Sequence, residues 1–203
     1  MTSDLKATIR LQLLTGVQRD EDMRQRLEAQ GLLHGGYHSD MELVHRKNAS
    51  TLLDIIEQHG WPTVDLVGDD GAYAAWLMAQ HAIGDPSFMR RCCELIHKAS
   101  TSGLIPSWQY AYMVDRILVF EGKPQIFGTQ IRITPDGPEL YEVEAPDELD
   151  ARRHMMKLSS SSEHLATFAR APTPTRDEWE SFNERELQWR RQVGWIESIR
   201  TNC

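Results

Sequence analysis

Two stretches of this sequence set a strongly polar pair into an otherwise apolar segment. Gln80-His81 interrupts residues 72–82, and Asp115-Arg116 interrupts residues 110–120. A buried charge without a partner is neutralised or expelled, so Asp115 and Arg116 need partners, and a carboxylate and an imidazole suit one another. If the two pairs meet in space, Asp115 orients His81, whose imidazole then serves as a general acid or base near neutral pH. Arg116 and the Gln80 amide would bind a polar or anionic group beside it. The other reading is structural, with each pair bracing a neighbouring helix end and doing no chemistry.

Two further places carry polar groups worth following. In Pro124-Gln125-Ile126-Phe127-Gly128-Thr129-Gln130, read as a strand, Gly128 and Gln130 share one face while Gln125 and Thr129 share the other. A strand glycine marks close approach of a ligand or backbone, or a bulge; the glutamines either read a polar ligand or face solvent. Asn48 lies on one helical face with Val44, Leu52 and Ile55, and His45 sits at the edge of that face. A buried amide must be hydrogen-bonded, whether to a ligand or to a structural neighbour such as the Trp61-Pro62 turn.

Other chemistries find less support. His81 and Asp85 are four apart, but Asp85-Pro86 reads as a helix cap, and two ligands do not make a metal site, so neither metal nor cofactor is expected. Cys92 and Cys93 are adjacent and Cys203 is terminal, an odd count with neither disulfide nor metal spacing, which suits packing in a reducing cytoplasm. No phosphate-binding loop, dinucleotide fingerprint, nucleophile elbow or His-Glu-x-x-His stands anywhere in the chain.

The elements that must position these residues are mostly helices. Residues 5–33 carry two helical patterns, the second charged, before Gly35-Gly36. A helix runs from Ser39, its predicted N-cap, to about His59, stopped by Gly60 and Trp61-Pro62. Residues 63–70 read as a connection. The segment 72–82 is apolar on nearly every side and reads as an interior helix. Asp85 caps an amphipathic helix with Pro86 in its first turn, ending near Gly103. The segment 110–120 reads as a second interior helix, with a strand as the alternative over 117–120. Residues 125–133 look extended, Pro135-Asp136-Gly137-Pro138 is turn chemistry, and 139–143 return as a second strand. A short charged helix begins at Pro146 and holds Arg152 and Arg153, and Ser159 to Ser162 form a loop or a further cap. Thr175 and Glu178 have capping-box spacing ahead of Trp179, Phe182, Trp189, Val193 and Ile196 at helical intervals.

The fold class expected is therefore mainly α: a single helical domain over residues 1–203, with a small β-hairpin near residues 124–143 and a long amphipathic C-terminal helix at about 175–200. The apolar content, with six tryptophans, suffices for a core. A net charge of −8 with scattered basic residues argues against a nucleic-acid partner. No window approaches the roughly 18 apolar residues of a membrane span, and residues 9–17 lack the features of a signal peptide.

The ordered succession Asn48, Gly60-Trp61-Pro62-Thr63, Gln80-His81-Ala82, Asp85-Pro86-Ser87-Phe88, Tyr110-Ala111-Tyr112, Asp115-Arg116 and Pro124 to Gln130 resembles an uncharacterised bacterial domain family. The resemblance spans about residues 20–158, since Asp20 with Arg24 and Asp150 with Arg152-Arg153 look like its flanking motifs. Glu21 and Met113 depart from the pattern, where glutamine and leucine are usual. The resemblance implies one domain and marks the residues that matter, but it implies no reaction.

The first expectation is an enzyme with a His81-centred acid/base site oriented by Asp115. Arg116, Gln80, Gln125, Gln130 and Asn48 would bind a small polar or anionic substrate, without a metal. The alternative is a non-catalytic ligand-binding or interaction module whose polar cluster is structural. Composition and pattern leave the oligomeric state open.

Overall fold

The computed structural model describes residues 2–32 and 36–197. Among them are eight α-helices and one two-stranded antiparallel sheet, a mainly helical fold. The chain divides into two compact units, Met1–Gln109 and Tyr110–Cys203.

The first unit holds α1 (Ser3–Ala29), α2 (Ser39–His59), α3 (Val64–His81) and α4 (Pro86–Thr101). The two patterns expected within residues 5–33 form one continuous helix, because nothing in their middle breaks it: Gly16 is helical and buried. Its inward stripe is Ile9, Leu13, Gly16, Asp20 and Leu27, spaced by three, four or seven residues. Leu13 and Leu27 are fully buried, each worth about 1.5–3 kcal/mol of transfer from water. Gly16 permits close approach to α3, since a Cβ there would sit 2.9 Å from Met78 Sδ. α2 buries Val44, His45, Asn48, Leu52 and Ile55, and stops at Gly60 with φ of 77°, where the peptide N–H still donates to Ile56 O.

α3 begins earlier than expected. The residues after Thr63 already form a helical turn, and the break sits at Gly68, whose φ of 75° and ψ of 172° only glycine adopts without strain. Beyond it, Ala72, Ala74, Ala75, Trp76, Met78, Ala79 and Gln80 are buried, as an apolar helix should be, although Tyr73 is exposed. The Trp76 indole N–H donates to Gln109 O at 3.0 Å. Asp85 Oδ1 accepts from Phe88 N at 3.0 Å with Pro86 in the first turn, which caps α4 as its sequence indicates.

The second unit begins within α5 (Ser107–Phe120), which is helical to its end, so the strand alternative for 117–120 is not realised. β1 (Ile131–Thr134) and β2 (Gly137–Leu140) pair in register Ile131 with Leu140 through Thr134 with Gly137. The hairpin is shorter than the span 124–143, within which a lone bridge joins Gln125 to Val143. A 3₁₀ turn (Pro146–Glu148) leads into α6 (Leu149–Met155); α7 (Ser161–Ala166) and α8 (Arg176–Val193) complete the unit. Ser160 with Glu163, and Thr175 with Glu178, both form capping boxes. α8 is held to α5 by Arg190 Nη1 donating to Val119 O at 2.9 Å and by Trp189 and Trp195 against Phe120. Among the described residues no helix is long and apolar enough to cross a membrane.

Candidate functional site

Three helices of the first unit bring polar side chains to one point. Asp20 falls on the buried stripe of α1, His45 on that of α2, and His81 is the last residue of α3. A carboxylate on an apolar stripe must find donors or lose its charge. Asp20 finds one in His81, whose Nδ1 lies 2.7 Å from its Oδ2, and His45 Nε2 approaches the same oxygen at 3.2 Å. Burial alone would push the Asp20 carboxyl up, but the two imidazoles outweigh that and hold it well below the usual carboxylate range. Asp20 and His45 are buried, whereas about a quarter of the His81 side chain reaches solvent.

Further side chains orient this cluster. Tyr37 O–H and His45 Nδ1 are 2.8 Å apart, with the rings stacked at 5.6 Å. Burial, reinforced by Glu42 and Asp20, pushes the Tyr37 phenol far up, so it stays neutral. The His45 and His81 rings lie 5.2 Å apart. The three ligand atoms of Asp20, His45 and His81 all fall within 4.8 Å of one another, a spacing at which a cation could be held.

Asn48, one turn along α2 from His45, donates from Nδ2 to Gly16 O at 2.9 Å and accepts from Arg19 Nη1 at 2.7 Å. Its amide therefore ties α2 to α1 one turn before Asp20, rather than to the Trp61-Pro62 turn. Asn48→Ala leaves the buried Gly16 carbonyl without that donor and should cost about 1–3 kcal/mol in chemical denaturation. A loss well under 1 kcal/mol would show that the amide does not hold the two helices.

Within the first unit the carboxylate on His81 is Asp20. Asp115, in the second unit, has a different task. Its Oδ1 accepts from Ile126 N at 2.7 Å and Phe127 N at 3.0 Å, and its Oδ2 from Thr129 N at 2.9 Å and Thr129 Oγ1 at 3.0 Å. Burial pushes its carboxyl up against the pull of these donors. The segment expected as a strand is consequently a loop folded around Asp115, and regular pairing begins only at Ile131.

That loop consumes its own polar groups. Gln125 Nε2 donates to Gln130 O and Tyr141 O at 3.0 Å each, and Gln125 Oε1 accepts from Gln130 N at 2.9 Å. Gln130 Nε2 donates to Thr129 Oγ1 at 3.1 Å. Arg153, buried, donates from Nη1 to Phe127 O and Gly128 O at 2.8 Å each and from Nε to Ser159 O. Arg152 reaches Ile126 O, Glu144 O and Ala145 O. Gly128 lies in this loop rather than in a strand: its φ is +59° and a Cβ would meet Leu149 at 3.2 Å. Gly128→Ala should lower stability by about 1–2 kcal/mol, read from the urea midpoint, and an unchanged midpoint would exclude strain at this position.

Of the remaining expected residues, Gln80 is buried beside His81 in α3. Arg116 lies on α5, where burial pulls its pKa down to about 10, leaving it charged at neutral pH. Sequence reasoning set the metal aside for want of ligands around His81 and Asp85. It missed Asp20 and His45, although Asp20 bears the same mark that singled out Asn48, a polar group on an apolar helical stripe.

A model described as a family of unknown function, DUF6624, matches residues 7–171. The chain belongs to this family. The matched region contains both the Asp20–His45–His81 cluster and the Asp115 loop, and ends before α8. No curated protein matches the chain, and no solved structure does.

Proposed function

We propose that this member of the DUF6624 family is an enzyme whose centre is the Asp20–His45–His81 cluster, acting by proton transfer, as in hydrolysis, on a small polar or anionic substrate. The observation that carries this reading is one buried carboxylate shared by two imidazoles from separate helices, with the His81 imidazole still reaching solvent. A carboxylate bound to Nδ1 fixes the tautomer and orientation of a histidine, which is how an imidazole is prepared to take and return a proton. Rigid helices hold all three side chains, as a site of fixed geometry requires. Gln80, adjacent to His81, is the substrate-binding residue this reading retains. Arg116, Gln125 and Gln130 belong to the second unit, and the proposal rests on the first alone. The free thiols of Cys92 and Cys93 suit a reducing compartment, and we assign the protein to the cytoplasm.

The test is a turnover screen of the purified chain against chromogenic carboxylic ester, amide and phosphoester substrates, with His81→Gln alongside. Turnover that the variant loses supports the reading. Turnover equal in both proteins, or none with any class, would overturn it; saturable binding of such compounds without turnover would favour a non-catalytic ligand-binding module instead.

A further inference from the structure

The reading of Asp20, His45 and His81 as a functional centre, on which this inference rests, leaves one atom unexplained. His45 Nε2 is buried and has no hydrogen-bond partner, although Asp20 Oδ2 is only 3.2 Å away. The His45 side chain is 9% exposed, so bulk solvent does not reach this nitrogen. Its Nδ1 is occupied by Tyr37. If Nδ1 carries the proton and donates to the Tyr37 oxygen, Nε2 presents a bare lone pair to a carboxylate oxygen, and the two repel. If Nε2 carries the proton, its N–H makes no hydrogen bond to that oxygen and is wasted. Both arrangements put a buried polar atom where native proteins rarely leave one unsatisfied.

A cation between the two atoms removes the conflict. We infer that Asp20 Oδ2, His45 Nε2 and His81 Nδ1 bind a divalent first-row transition-metal ion. Two imidazole nitrogens and one carboxylate oxygen suit a borderline ion such as Zn²⁺ or Fe²⁺ better than Mg²⁺ or Ca²⁺, which prefer oxygen. The donor atoms already lie within 4.8 Å of one another; bonds of about 2.0–2.2 Å in tetrahedral geometry set ligand atoms about 3.4 Å apart, so the 2.7 and 3.2 Å approaches to Asp20 Oδ2 open slightly by side-chain rotation. Tyr37 then does what outer partners of metal-bound histidines do, holding the far nitrogen and with it the ring's orientation. Three protein ligands leave coordination positions for water or substrate, the pattern of a catalytic rather than a structural site. In the loaded protein His81 would be a ligand, and the ion would supply a bound water acidified towards hydroxide as the nucleophile or base.

The experiment is titration of the metal-stripped full chain with Co²⁺ and Zn²⁺, followed by visible absorption and thermal denaturation, with Mg²⁺ as a control. One equivalent of Co²⁺ should bind with a ligand-field spectrum and no thiolate-to-cobalt charge transfer, and Zn²⁺ should raise Tm. Asp20→Asn and His45→Gln should weaken Zn²⁺ binding by about 100-fold or more. Should either variant misfold, X-ray absorption of zinc on the wild-type chain decides: nitrogen and oxygen at about 2.0–2.1 Å support the site, and sulfur at about 2.3 Å sinks it. Failure of both ions to bind below about 100 µM, or equal binding by folded variants, would also sink it. Binding at these side chains with no turnover would retire the enzyme reading and leave the metal site standing. Turnover that survives chelation, in a chain that binds neither ion, would do the reverse.

Discussion

Replacing His81 with glutamine is expected to cut turnover by roughly 10²–10⁴-fold, the usual contribution of a positioned acid or base, while moving Tm by no more than a few degrees. Glutamine matches much of the imidazole's volume, and its amide N–H can still donate to Asp20 Oδ2, so the buried carboxylate keeps a partner. What it cannot do is accept and return a proton, or offer an imidazole nitrogen to a metal ion, so activity falls whether His81 acts bare or as a ligand. His81 is the last residue of α3 and part of its side chain lies in solvent, which limits the packing lost. A purely structural His81 predicts the opposite pattern: a stability loss of about 1–3 kcal/mol with turnover per folded molecule unchanged. Steady-state kinetics and a thermal melt on one preparation distinguish the two.

For Asp115→Ala the expected result is a loss of roughly 3–6 kcal/mol of stability, one of the largest single-residue effects in the chain. The substitution strands the peptide N–H groups of Ile126, Phe127 and Thr129 and the Thr129 hydroxyl, all aimed at one carboxylate. Each buried donor left without an acceptor costs about 1–3 kcal/mol, and relaxation of the loop recovers part of the sum. The loop cannot relax freely, because Arg153 grips the Phe127 and Gly128 carbonyls from the other side. The two substitutions should therefore be non-additive: a double-mutant cycle of Asp115→Ala with Arg153→Met should show coupling of more than about 0.5 kcal/mol. A loss below 1 kcal/mol for Asp115→Ala in urea denaturation would mean that the carboxylate does not organise the loop.

Asp20 and Asp115 keep their buried charges by different means, for a reason visible in their surroundings. Asp115 is encircled by backbone donors of a loop that follows it by fewer than fifteen residues, whereas Asp20 reaches His81 across 61 residues of chain. Both aspartates solve the same problem, a charge placed among apolar neighbours, with the donors their folded surroundings supply. The Asp115 loop spends the amides of Gln125 and Gln130 on itself, which is why residue types suited to reading a ligand serve here as internal braces.

Sequence by itself determined the features that depend on neighbours within about one helical turn. Gly60 with Trp61-Pro62 ended α2, Asp85-Pro86 opened α4, Thr175 and Glu178 opened α8, and Pro135-Asp136 turned the hairpin, with Gly137 and Pro138 already paired in β2. These signals are legible because capping and turn chemistry act between residues a few positions apart. The apolar surroundings of Asn48, Gln80, His81 and Asp115 were legible too, since helical periodicity alone puts a side chain on a buried face. Tertiary structure alone decided their partners: that Asn48 faces Gly16, that Asp115 faces its own following loop, and that His81 meets Asp20 and His45. A helix's periodicity says which side of it is buried but not which neighbour covers that side or at what height, and the pairing of polar groups depends on both.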